Sequence, residues 1–311
     1  MRPELEKLVR DGMARYHVPG VAIGILHDGD EDIAAYGVTN LEHPLPVDGD
    51  TLFQIASITK TITATVVMRL VERGALDLDA PVRRYLPEFR LRDEDAAKRA
   101  TLRHLVTHTG GWLGDCFADF GKGDDALARY VAAMAELEQL TPLGEVWHYS
   151  NSSFAVLGRL IEIATGKTYE AAVRELLFIP LGMAKSCFNA DEAITHRVAI
   201  GHVIVDEQPR VARPWAFPRA TTPVGGVVSS VRDSSTVTTP SLPALAIASA
   251  MMPPIVSSWL AEIVPTCAIM VPLTGFDCAL SDATIASTAA SIPRLISCGF
   301  APAATFFLPS R

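Results

Sequence analysis

Apolar residues recur at Leu5, Leu8, Val9, Met13 and Tyr16, a helical spacing that predicts an amphipathic first helix. The period then changes. Residues 21–26 and 33–38 are short apolar runs separated by His27-Asp28-Gly29-Asp30, and Asp-Gly between two such runs predicts a β-hairpin. Apolar positions at Ile58, Ile62, Val66 and Leu70 predict a core-packed helix that begins near Ser57. It ends near Gly74, since glycine suits the position just past a last helical turn. A mostly helical stretch follows. Thr101 can cap a short helix through His108, closed by Gly110-Gly111. Asp124 or Asp125 opens a helix with Leu127, Tyr130, Val131, Met134 and Leu137 on one side. Asn151 or Ser152 opens another with Phe154, Leu157, Leu160 and Ile161 inward and Gly166 at its end. Thr168 caps a further helix to about Leu177, before Pro180. Antiparallel strands followed by such a helical block imply an α+β organisation.

Two places on this frame carry chemistry. Ser57-Ile58-Thr59-Lys60 sets a hydroxyl and an amine three residues apart, about 300° of rotation and about 4.5 Å of rise along a helix. The two side chains then project from neighbouring points of one face. A serine hydroxyl is a poor nucleophile until a neighbour takes its proton. A lysine held in a site that disfavours its charge can be that neighbour. The second place is Trp147-His148-Tyr149-Ser150-Asn151, between the loop Thr141-Pro142-Leu143-Gly144 and a helix. A phenol or hydroxyl and an amide at such a junction can relay a proton and orient a substrate amide.

Together the motifs resemble the serine β-lactamase and penicillin-binding-protein superfamily, whose signatures are S-x-x-K, S-D-N and K-T-G. The middle one reads Tyr-Ser-Asn here, a form similar to class C β-lactamases, D-aminopeptidases, DD-carboxypeptidases and esterases of the same fold. Four further segments look like that branch: Pro19-Gly20-Val21-Ala22-Ile23-Gly24, His104-Leu105-Val106-Thr107-His108-Thr109-Gly110-Gly111, Pro180-Leu181-Gly182-Met183, and Gly225 through Asp233. The resemblance keeps the family's order from about Leu5 to Asp233. It implies an antiparallel sheet flanked by helices, packed on an all-helical region of about residues 57–200, with the active site between them. It also implies Ser57 as acylated nucleophile and Lys60 as its proton acceptor and hydrogen-bond partner. Tyr149 is then the general base or acid that alternates the proton with Lys60. Asn151 contacts the substrate acyl side chain and Lys60. Ser150 and Gln54 read as structural, and Gly225-Gly226 as a tight turn flanking the cleft. A phenol has a pKa of about 10 in water, so basic work by Tyr149 near neutrality requires the Lys60 cation close by. No cofactor is implied. The substrate class is a small acyl compound: a β-lactam, a short carboxylic ester, or an amide of a D-residue.

Composition narrows the partners. A formal net charge of −8 over 311 residues argues against a nucleic-acid binder. The first residues contain no uninterrupted apolar segment for a signal peptide, which predicts a cytoplasmic protein, or an exported one if a leader has been removed. Five scattered cysteines without a Cys-x-x-Cys pair suggest neither a disulfide framework nor a zinc knuckle. His104 and His108 stand at metal-ligand spacing, but no Glu follows the first and no third ligand is evident. A Ser-His-Asp triad lacks its Gly-x-Ser-x-Gly elbow.

The chain changes character after Asp233. In residues 234–311 the only charged side chains are Glu262, Asp277, Asp282, Arg294 and Arg311, and Lys, His, Asn, Gln and Tyr are absent. A domain of residues 1–233 and an atypical tail of 234–311 are therefore expected. Three readings of the tail stand: a translated frameshift, a divergent native segment, or a membrane segment. Residues 242–261 are uncharged over a length that can span a bilayer, though Pro243, Pro253 and Pro254 interrupt them. Leu273-Thr274-Gly275 is the nearest match to the third motif, with leucine where the family has Lys, His or Trp. That motif is expected to supply a polar group for the substrate and a second oxyanion donor. The sequence thus points to a serine acyl hydrolase. A penicillin-binding protein that acylates without turnover, and an inactive product of a frameshifted gene, are the alternatives.

Overall fold

The computed structural model describes residues 3–27, 30–116, 118–215, 217–235 and 267–273. Helix α1 (Pro3–Tyr16) leads into β1 (Gly20–His27) and β2 (Asp30–Gly37), paired antiparallel from Gly20 opposite Gly37 to His27 opposite Asp30. The hairpin lies where Asp-Gly predicts it. A short strand β3 (Phe53–Gln54) and a 3-10 turn (Ala56–Ile58) precede α2 (Thr59–Glu72). Next come α3 (Glu94–Arg99), α4 (Leu102–Val106), α5 (Ala126–Ala133), α6 (Asn151–Thr165), α7 (Tyr169–Val173), α8 (Ile179–Leu181) and α9 (Ala190–Ala193). The described chain closes with a hairpin, β4 (His202–Val205) and β5 (Gln208–Val211), then α10 (Thr222–Gly225), β6 (Val228–Ser229), α11 (Val231–Ser235) and β7 (Cys267–Leu273).

The main core belongs to the helices. Val66 of α2, Leu102 of α4, Tyr130 of α5, Phe154 and Leu157 of α6 and Tyr169 of α7 are fully or almost fully buried in one cluster. Helix α6 lies at its centre, against α2, α5 and α10. Gly158 permits the last contact, since a Cβ there would stand 2.2 Å from Pro223 Cγ. A smaller core of Ala22, Val47, Phe53, Ala199 and Val231 joins the strands to α11. The outcome is the mixed α+β arrangement expected from the sequence.

Several local expectations change in detail. The helix after Ser57 starts two residues later, and Ser57 itself sits in the 3-10 turn. Ser150, not Asn151 or Ser152, caps α6, its Oγ accepting from the Ser153 N–H at 3.1 Å. Helix α4 stops at Val106 because His108 takes a left-handed φ of 59°. Gly110 and Gly111 therefore do not cap it. They serve close approach: a Cβ on Gly110 would lie 2.5 Å from the Trp112 ring, and one on Gly111 2.3 Å from the Thr141 carbonyl. The helix from Thr168 passes Pro180 through a widened turn in which the Ile179 N–H reaches back five residues to Arg174, beside a residue that has no N–H to donate.

The sheet order is β2-β1-β7, and β7 joins β1 in parallel, Val21 opposite Cys267 and His27 opposite Leu273. The antiparallel sheet expected from the sequence thus gains one parallel pairing, on the edge of β1 that β2 leaves open. Thr274 and Gly275, which complete the nearest match to the third motif, lie outside the described residues, as do residues 242–261. No helix among the described residues is long and apolar enough to cross a membrane.

Candidate functional site

Strand β3 delivers Ser57 to the seam between the small strands and the helices. Phe53 pairs with Ser229 and Gln54 with Val228, and the Ile55 N–H donates to the Val227 carbonyl at 3.0 Å. Gln54 is partly buried. Ala56 then takes a left-handed φ of 45°, which for a residue with a Cβ costs of order 1–3 kcal/mol. The strained turn leaves the Ser57 side chain exposed, although its neighbours Thr59 and Lys60 are buried.

Thr59, Lys60 and Thr63 share the face of α2 that receives residues 223–227. Thr59 Oγ1 accepts from the Val227 N–H (3.1 Å), Lys60 Nζ donates to the Val224 carbonyl (3.0 Å), and Thr63 Oγ1 donates to the Pro223 carbonyl (2.7 Å). The segment containing Gly225-Gly226 therefore backs the nucleophile turn directly. A Cβ on Gly225 would meet Phe217 Cζ at 3.1 Å and the Ala56 carbonyl carbon at 3.4 Å.

Lys60 is completely buried. Its Nζ lies 3.2 Å from Ser57 Oγ, 4.7 Å from the centre of the Tyr149 ring and 5.8 Å from that of Phe154. Burial among these groups pulls its pKa down to about 7, with Asp115 acting weakly in the opposite direction. The Tyr149 hydroxyl donates to the same Ser57 Oγ at 2.8 Å. Burial pushes this phenol up to about 12, partly opposed by its hydrogen bond to Ser57 and assisted by Asp115. A cationic neighbour therefore does not bring Tyr149 into the neutral range, contrary to the requirement set out for a phenolate base. Of the two groups, Lys60 is the one shifted toward neutrality.

The structure thus brings Ser57, Lys60 and Tyr149 together on one oxygen. Asn151 stands two residues from Tyr149 at the first position of α6, where its Nδ2 donates to Asp115 Oδ1 at 2.6 Å, while Lys60 Nζ donates to Ser57 Oγ and the Val224 carbonyl. Ser150 is structural, bonded to Ser152 and Ser153.

His108 organises the Tyr149 loop. Its left-handed backbone turns the ring inward, where Nδ1 accepts the Ser150 N–H at 3.0 Å, while its carbonyl accepts the His148 N–H at 2.8 Å. The ring stacks on Tyr149 (centroids 4.8 Å apart, planes 27° apart) and meets Trp147 edge-on and Phe154 at a tilt. Burial, with Lys60 and His148 as lesser causes, lowers its pKa to about 3, so the ring is neutral and carries its proton on Nε2. His104 is committed elsewhere, to the capping box of Thr101. The two histidines at metal-ligand spacing therefore turn to different partners. Among the described residues no group of three His, Cys, Asp or Glu could hold a metal ion.

Sequence reasoning missed Asp115 and the role of His108. The signal for Asp115 was the next glycine after Gly110-Gly111: Gly114 passes close to the Tyr149 backbone and sets Asp115 beside Asn151.

Fold and site define a member of the serine β-lactamase and penicillin-binding-protein superfamily. Residues 5–259 match the Beta-lactamase family, and the chain belongs to it. It is 39% identical over 220 residues to Penicillin-binding protein 4 of Amycolatopsis lactamdurans, covering 70% of this chain and 58% of that protein. It is 42% identical over 172 residues to Esterase EstB of Burkholderia gladioli, covering 51% and 44%. Among solved structures, a class C beta lactamase from Rhodobacter sphaeroides superposes with a TM-score of 0.64 at 28% identity, covering 79% of this chain and 68% of that one. The chain spans about half the length of the curated relatives it matches. The family match passes Asp233 by 26 residues (259 − 233).

Proposed function

We propose that the protein is a serine acyl hydrolase that works through a covalent acyl-Ser57 ester. One observation carries this: a fully buried amine and a phenol both lie within hydrogen-bonding distance of one exposed seryl oxygen. Neutral Lys60 accepts the Ser57 proton as Oγ forms its bond to the substrate carbonyl carbon. The bond from that carbon to the leaving group then breaks, and Tyr149, protonated at neutral pH, gives its proton to the departing oxygen or nitrogen and is reprotonated from Lys60. In deacylation a water attacks the ester carbonyl, its proton passes to Lys60, and Ser57 recovers its own as the C–Oγ bond breaks. The Ser57 N–H is one oxyanion donor.

The residues 1–233 form the hydrolase unit in this reading. The substrate is a β-lactam, a short ester or a D-residue amide, and the named activities of the relatives span the first two. Nitrocefin and p-nitrophenyl acetate hydrolysis, measured on the chain and on Ser57→Ala, tests the proposal. Undiminished hydrolysis in Ser57→Ala would remove Ser57 as nucleophile. The similarity to a penicillin-binding protein supports a second reading, acylation without turnover. A Ser57-linked penicilloyl adduct that persists for hours in intact-protein mass spectra, with no product release, would establish it in place of the first.

A further inference from the structure

The proposed function leaves open which acyl groups the cleft prefers, and the following rests on that function. Trp112 is buried and donates from Nε1 to Ser152 Oγ at 3.1 Å. Two residues on, the Gly114 carbonyl accepts the Ser152 N–H at 2.8 Å. A Cβ on Gly114 would stand 2.5 Å from the Tyr149 carbonyl oxygen and 3.0 Å from Ser150 Cα. Only glycine lets the strand lie that close to the Tyr149 loop. Asp115 follows immediately, exposed to solvent, with one carboxylate oxygen held by the Asn151 amide at 2.6 Å. The other oxygen keeps its acceptor capacity, and no Lys, Arg or His among the described residues forms an ion pair with it. The charge reaches the reacting groups, since it acts on both Lys60 and Tyr149.

We propose that Asp115 makes the cleft prefer acyl groups with a positive charge next to the scissile carbonyl. These are aminoacyl esters and amides with a free amine, favoured over neutral acyl groups and most of all over anionic ones. Asn151 fixes the carboxylate, and the substrate ammonium takes its remaining oxygen. In a partly exposed site one such charge contact changes a rate constant by about tenfold.

Three phenyl esters of similar size differ in charge: those of glycine, propionic acid and malonic acid (the monoester), followed by phenol release at pH 7 with the spontaneous rate subtracted and each kcat/KM divided by that ester's own hydroxide rate constant, which removes the inductive effect of the substituent. The expected order of kcat/KM is glycyl, propionyl, malonyl, with about tenfold per step. The glycyl-to-malonyl ratio shrinks as salt is raised from 0.02 to about 1 M, because screening shortens the reach of the carboxylate. D115N brings the ratio within about twofold of one, and D115K inverts it. A wild-type ratio near one, a ratio indifferent to salt, or a ratio unchanged in D115N would overturn the assignment. Ser57-independent release of phenol from all three esters would instead overturn the hydrolase reading itself. The salt series uses the unmodified protein, so the test stands even if a substitution impairs folding.

Discussion

Helix α2 and the loop around Gly114 treat charge in opposite ways. On the helical side, Lys60 is wholly buried and held by the Val224 carbonyl, Ser57 and two aromatic rings. On the loop side, Asp115 is exposed and held by one amide. Burial pulls the pKa of the amine down to about 7, at a cost to folding. In the proposal above, the exposed carboxylate biases which substrate enters. The proton chemistry is therefore bound up with stability, and selectivity is not. Substitutions at Lys60 should change both, and those at Asp115 mainly one.

The largest separation is expected in Lys60→Met. Removing the general base should lower acyl transfer by about 10³-fold or more, while thermal stability rises, because an amine that loses much of its hydration in the fold is replaced by an apolar chain of similar length. Chemical denaturation beside ester hydrolysis checks both. A variant that is inactive and also less stable would contradict the desolvation account. The pH dependence sharpens the same point. Lys60 has a folded pKa of about 7 against 10.5 unfolded, so between these values the unfolded chain binds more protons and stability rises with pH. The gain for this group alone is on the order of 5 kcal/mol. Above pH 10 the phenols Tyr130, Tyr149 and Tyr169, all raised, work the other way. For activity, the rate should fall about tenfold per unit below pH 7, as the base is protonated. A pH–rate profile flat from 5 to 8 would mean that Lys60 is not the acceptor. Tyr149→Phe comes next, with a loss of about 10²-fold in turnover. Ser57 acylation should slow in step with it, because Tyr149 protonates the leaving group in that step, and adduct formation in stopped reactions measures this.

How much of this was legible follows the range of each cause. The hairpin, the Ser57-to-Lys60 pairing, the Gly166 stop and the Thr101 and Thr168 caps depend on residues within a few positions, and the sequence carries them. Burial of Lys60 does not. It depends on residues 223–227 lying on α2, more than 160 positions away. Asn151 was expected at Lys60 because the family places it there, and the bond to Asp115 needs the Gly114 crossing to be known. The i, i+4 spacing of His104 and His108 brings side chains together only on one helix, and His108 leaves that helix at φ 59°. The parallel β7 depends on which edge of β1 stays open, a property of the assembled sheet.

The smallest effect isolates that left-handed histidine. His108→Phe keeps a ring over Tyr149 but leaves the buried Ser150 N–H without an acceptor. An unmade buried hydrogen bond costs about 1–3 kcal/mol, so the melting temperature should fall while the Lys60-dependent pH profile keeps its midpoint near 7. His108→Asn does the reverse: the Oδ1 of the shorter amide can accept from Ser150, but the stack on Tyr149 is lost. Its stability should recover relative to His108→Phe, and its turnover should drop severalfold with KM little changed, since the phenol is less well aimed at Ser57. If both variants lost stability and turnover in parallel, the ring would act only as core packing, and the division of labour between its nitrogen and its face would be wrong.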